Sequence, residues 1–216
     1  MPQPLTKWEV TTPATDYPVT LEAVKRHLRI DGNDEDDDIE LLIAAATDYA
    51  ESMLEASLMS QTITAAFNAE DVEFTPPVRD NPADGFGRAG PIAAHAGTWG
   101  TAGRSLSVKL PRGPVSAVVS VADANGAAVA GCELERTPAG DRLRLTRAVT
   151  AYPFVVTYTA GHASAAAIPA TIRVAIRAHV GTLYERRESV SQKAAVAVPH
   201  SLESFYRLKR RTSGAG

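Results

Sequence analysis

The alternation of apolar and polar positions divides this chain into a helical beginning, a β middle and a helical end. Over residues 36–57, DDDIELLIAAATDYAESMLEAS, the residues Ile39, Leu42, Ile43, Ala46, Tyr49, Ala50, Met53 and Leu54 recur at helical spacing, while Glu40, Asp48, Glu51 and Glu55 fall mainly off that stripe. The pattern predicts one long amphipathic helix. Asp34, Glu35, Asp36, Asp37 and Asp38 crowd its start, where unpaired backbone N–H groups and the positive end of the helix dipole favour anions. Upstream, Thr20 offers an N-cap, and Leu21, Val24 and Leu28 line one side of a short helix that Gly32 and Asn33 are expected to end. Residues 1–18 carry Pro2, Pro4, Pro13 and Pro18 with little periodicity and read as an extended N-terminal arm.

From Gln61 the period shortens to two. The stretches 61–67, 105–110, 115–121, 142–145 and 154–159 alternate or run in β-branched residues and predict strands. Asn125-Gly126 suits a tight hairpin, and Pro138-Ala139-Gly140-Asp141 marks another turn. Six glycines and two prolines between 80 and 104 break any regular element, which predicts a long surface loop. Helix returns with Pro169 in a first turn and Ile172, Ala175, Ile176, His179, Val180 and Leu183 on one face, running to about Glu188 and weakened by Gly181. Beyond it, 189–216 reads as a C-terminal arm: an Ala/Val segment closed by Pro199, then a short helix bearing Leu202, Phe205 and Leu208 with a basic end. Two helices cannot enclose a core. The expected architecture is therefore α+β, with the N- and C-terminal helices (19–58 and 168–188) packed as one helical layer and an antiparallel β domain (59–162) inserted between them.

Composition narrows the functional classes. A chain of 216 residues can bury a sizeable core without a metal or disulfide staple, and its one cysteine, Cys132, cannot form an internal disulfide. No charged-then-apolar leader and no apolar run of membrane-spanning length is visible, so a soluble protein made in a reducing compartment is expected. The net charge of −3 hides an asymmetry: residues 1–75 hold four Lys/Arg against sixteen Asp/Glu, and the remainder holds eighteen against nine. Such a molecule can pair head to tail with copies of itself; two solvated faces are the plainer alternative.

Catalytic and metal-binding patterns are weak. Asp31, Asn33 and Glu35 match the first ligand spacings of a calcium loop, but Asp36 stands where its turn glycine belongs and Leu42 where its bidentate glutamate belongs. The five histidines never pair at metal-ligand spacing, and His179, on an apolar helix face, reads as a hydrogen-bonded core residue. Cys132 reads as an inert thiol, and no phosphate-cradling glycine loop leads from a strand into a helix. The terminal RLKRR (207–211) lacks the interleaved aromatics of a nucleic-acid surface. No catalytic residue, metal ligand or cofactor site is assigned.

One family pattern remains. PVTLEAVKRHLRIDGNDEDDDIELLIAAATDYAE (18–51), LPRGPVSAVVSV (110–121), VTYTAG (156–161), IPATIRVAIRAHVGTLYERRE (168–188) and SLESFYR (201–207) follow one another in an order that resembles the head-tail connector (adaptor) proteins of long-tailed bacteriophages, prophages and gene transfer agents. The resemblance covers nearly the whole chain except 80–104. It implies a non-enzymatic subunit of a twelve-fold ring in the virion neck, made in the host cytoplasm. Such a ring sits between the portal protein and a tail-side neck protein (tail terminator or stopper) and leaves a channel for DNA without reading its sequence; no membrane is involved. On that basis Leu202, Phe205, Tyr206, Arg207 and Leu208 are candidates for portal binding, and Asp36, Asp37, Asp38, Arg173, Arg177, Arg186 and Arg187 for contacts between subunits. A small intracellular DNA-binding regulator or a small-ligand enzyme is the alternative, with the arginines of 173–187 the nearest thing to a recognition helix.

Overall fold

The computed structural model describes residues 7–75, 105–137, 140–145, 149, 151–185 and 206. The fold is α+β, with three helices and two antiparallel sheets among these residues. Helix α1 (Leu21–Leu28) starts as expected, Thr20 accepting a hydrogen bond from the Ala23 N–H at 3.2 Å. It stops earlier than Gly32, because Arg29 turns into the left-handed region at φ 59° and the chain leaves the helix there. Helix α2 (Asp36–Leu54) ends the same way at Glu55, φ 51°. Its N-cap, Glu35, makes no side-chain cap bond; the carboxylate instead accepts the hydroxyl proton of Tyr184 in the last turn of α3 (Ala170–Glu185).

The apolar stripes of the helices meet one another. Val24 of α1, Ile39, Ile43, Ala46, Ala50 and Leu54 of α2, and Ile172, Ala175, Ile176 and Val180 of α3 belong to one buried cluster. Gly181 sits where α3 crosses α1: a Cβ there would lie 3.6 Å from Leu28, so the glycine expected to weaken the helix is also a point of close approach.

The β region holds more strands than its pattern predicts. Strands β1 (Lys7–Thr12), β2 (Gln61–Phe67), β8 (Phe154–Ala160) and β5 (Val115–Ala122) form one sheet in the order β1-β2-β8-β5. Strands β3 (Glu73–Thr75), β4 (Ser105–Lys109), β7 (Gly140–Leu145) and β6 (Cys132–Thr137) form the other in the order β3-β4-β7-β6. Inner faces of both sheets share a second core containing Phe67, Val108, Leu143, Leu145, Phe154 and Tyr158. Residues 7–12 are extended as the N-terminal reading required, but they are not a free arm: they pair antiparallel with β2 from Lys7↔Ala66 to Thr12↔Thr62. The 80–104 loop and most of 189–216 lie outside the described residues.

Candidate functional site

The helical core and the β core are joined at the turn Leu110-Pro-Arg-Gly-Pro-Val115, between β4 and β5. Asp141, buried at 2% exposure, clamps its two ends: its carboxylate accepts the Val115 N–H at 2.7 Å and its carbonyl accepts the Leu110 N–H at 2.9 Å. Arg136 donates to the Val115 carbonyl at 3.3 Å, and the Gly113–Pro114 peptide is cis. The turn grips the segment leaving α2, where Ser57 donates to the Gly113 carbonyl at 2.9 Å, and the end of β8, where Gly161 donates to the Pro114 carbonyl at 2.8 Å. His162 in turn donates to the carbonyl of Leu58 at 3.0 Å. At Gly161, φ +107°, an added Cβ would stand 2.0 Å from the Met59 carbonyl oxygen, so the crossing of these two segments requires glycine.

One ion pair ties α2 to this turn. Arg112 donates from Nη1 to Glu51 at 2.8 Å, and its guanidinium carbon lies 4.7 Å from the ring centre of Trp8 on β1. Glu51, in the last turn of α2, also accepts the Leu58 N–H at 2.7 Å and the Gln61 amide at 3.3 Å; Gln61 reaches the Ser57 hydroxyl at 2.7 Å. The Arg112 N–H approaches the Tyr158 hydroxyl at 3.4 Å, and burial pushes that phenol well above its ordinary pKa, against a smaller opposing pull from Arg112. This arrangement is suited to holding rather than reacting. Its carboxylate is matched to a permanent cation and to two N–H donors, and its phenol is driven away from ionisation.

The expected contact residues fall differently. Asp36 is taken by its own chain, pairing with Lys25 at 2.6 Å, because the α1–α2 turn brings the two side chains together. Asp37 and Asp38 are exposed, Arg173 and Arg177 are half-buried, and the two groups form no ion pair with each other among the described residues. The buried Arg173 Nε lacks a hydrogen-bond partner there. Tyr206, expected on a partner-binding surface, is instead buried in the chain's own helical core, edge-on to Tyr49 at 6.0 Å, since an aromatic of that size gains more by filling the gap beside α2 than by facing water. Leu202, Phe205, Arg207, Leu208, Arg186 and Arg187 lie outside the described residues. His179 is in the core, edge-on to Tyr49 at 5.0 Å, but its Nδ1 has no hydrogen-bond partner among those residues, and burial lowers its pKa. Cys132 is half-buried, its thiol pointing to the Val129 carbonyl at 3.4 Å and its pKa raised by burial. Among the described residues no three His, Cys, Asp or Glu side chains gather as a metal site, and no helix is long and apolar enough to cross a membrane.

Trp8, Glu51, Arg112, Asp141 and Gly161 escaped the residue-level reading. Glu51 sits off the apolar stripe and looks solvated; its partner is 61 positions away and no local pattern links the two. Only the family resemblance singles out the LPRGPV turn; alternation marks the strand part of VTYTAG but not Gly161. Residues 18–78 match the phage gp6-like head-tail connector protein family. The matched span runs from α1 through β3 and includes Glu51 but not Arg112. Among solved structures, the fold is similar to that of a chain in the neck of an empty gene transfer agent particle computed with C6 symmetry: 21% identity, 97% of this chain and 98% of that one covered, TM-score 0.68. A chain in the neck of a native gene transfer agent particle computed with C12 symmetry gives 20% identity, 98% coverage of both and TM-score 0.63. A chain in the virion of a native gene transfer agent particle gives 20%, 97% of both and 0.62. No curated protein matches by sequence.

Proposed function

We propose that this chain is a structural head-tail connector subunit in the neck of a phage-like particle, forming a homo-oligomeric ring, twelve-fold in the particle, around a channel through which DNA passes without being read. The observation that carries this is the alignment of the fold over 97% of this chain and 98% of a gene transfer agent neck chain, supported by the connector-family match over 18–78. Among the described residues, the polar network around Glu51 and Arg112 joins the two cores, a structural use of its charges. In this reading the helical layer built from 19–58 and 168–188 and the inserted β domain are the two bodies of the subunit, with the LPRGPV junction fixing the angle between them. The portal protein binds on one side and a tail-side neck protein on the other. The portal-facing candidates are Leu202, Phe205, Arg207 and Leu208, with Tyr206 as the internal anchor of that segment.

Deleting the gene and imaging the resulting particles tests this. The expected outcome is DNA-filled heads without tails, restored by supplying the protein in trans, and a reconstruction of complete necks with this chain in a ring below the portal. Normal tailed particles in the deletion strain would refute it.

A further inference from the structure

Among the described residues, two helix faces carry exposed apolar side chains, and they are chemically opposite. On α2, Leu41 is the most exposed large apolar side chain among the described residues, at 70%. It shares its side of the helix with Asp37, Ala45 and Asp48, four before, four after and seven after, with Asp38 and Glu40 alongside. Asp37, Asp38, Glu40 and Asp48 are all exposed and make no ion pair among the described residues. On α3, Val174 is 49% exposed. Arg173 precedes it, Arg177 follows at one helical turn, both are half-buried, and neither has an ionic partner among the described residues. An exposed leucine rimmed by carboxylates and an exposed valine flanked by guanidiniums are complementary in both polarity and charge.

Resting on the connector reading, we infer that the Leu41 face of α2 in one subunit docks on the Val174 face of α3 in the next. The partner is a second copy of this chain. Charge decides this choice: the two faces differ in sign, so neither pairs with itself, and a contact between unlike faces of identical chains is head-to-tail and propagates until the rotation closes a ring. Coulomb attraction between exposed groups is screened and individually weak, so the apolar pair supplies the dry centre and the charges set register and exclude the like-with-like alternative. Asp36 stays with Lys25 of its own chain and plays no part.

Cysteine cross-linking in assembled particles tests this on the full chain. The double variant Leu41→Cys with Val174→Cys, both at exposed positions, is expected to give a ladder of dimers, trimers and higher species on mild oxidation, whereas either single variant stays monomeric. Charge reversal gives the second arm. Asp37→Lys with Asp48→Lys, or Arg173→Glu with Arg177→Glu, is expected to lower incorporation into necks at least tenfold, and both reversals in one chain to restore it; circular dichroism of each purified variant confirms folding. Incorporation of the double-cysteine chain without a ladder places the contact elsewhere and overturns the inference while the connector reading stands. With Cys132→Ser carried in every variant, a dimer from Leu41→Cys alone means a symmetric contact and also overturns it. Absence of the wild-type chain from purified necks overturns both.

Discussion

Gly161 is the residue whose replacement the structure forbids most plainly. Its φ of +107° suits few side chains, and the Met59 carbonyl occupies the space of a Cβ. Gly161→Ala is expected to cost about 3 kcal/mol or more of unfolding free energy, read as a lowered urea midpoint, because backbone rather than a side-chain tip must move. His179 makes the second residue-scale prediction. Burial lowers its pKa, and the same cause lowers that of His162, so the folded state resists protons that the unfolded chain accepts. The sign follows: stability is full above the ordinary histidine pKa and declines as pH falls below about 6.5, by at most about 1.4 kcal/mol per pH unit for each histidine. Denaturation series between pH 5 and 8 should show that slope, and His179→Leu should flatten it; an unchanged slope would place the proton uptake elsewhere.

The elements were legible in the sequence where one face alone determined them. Strand β2 spans 61–67 exactly where its alternation ran, and α2 and α3 lie within the predicted periodic stretches. Three strands escaped the pattern reading. Residues 7–12 and 73–75 are short edge pieces that take their order from a neighbour, and CELERT in β6 alternates charged with small or apolar groups because its Glu133 and Glu135 lie opposite Arg144 and Arg142 of β7. For the C-terminal segment the amphipathic pattern showed that an apolar face must be covered, without showing by what. Tyr206 answers part of that, lying at 0% exposure against Tyr49. Deleting residues 190–216 is therefore expected to weaken the helical core rather than leave it intact, and Tyr206→Ala alone to cost about 3–5 kcal/mol in chemical denaturation. Full retention of stability by Tyr206→Ala would show the site to be dispensable.

At the scale of the whole molecule, the two cores depend on one another through few groups. The Glu51–Arg112 pair is mostly shielded, at 13% and 17% side-chain exposure, and ties the end of α2 to the turn between β4 and β5. A double-mutant cycle of Glu51→Gln and Arg112→Gln is expected to give a coupling of roughly 1–3 kcal/mol. Arg112→Lys should not rescue it, because one ammonium group cannot reach the Glu51 carboxylate and also keep a guanidinium's extended contact with the Trp8 ring; coupling near zero would mean the backbone contacts alone fix the junction. The interleaving also sets a timetable for synthesis. Helices α1 and α2 leave the ribosome early, but their apolar partner α3 begins only at Ala170, more than a hundred residues after Leu54. At bacterial elongation speeds the gap is on the order of 6–20 s. For most of that interval the first helices wait with Ile39, Ile43 and Leu54 bare, and because β8, which joins β2 to β5, ends only at Ala160, the first sheet also stays open until just before α3; a nascent chain halted before β8 is therefore a chaperone client with both cores unfinished.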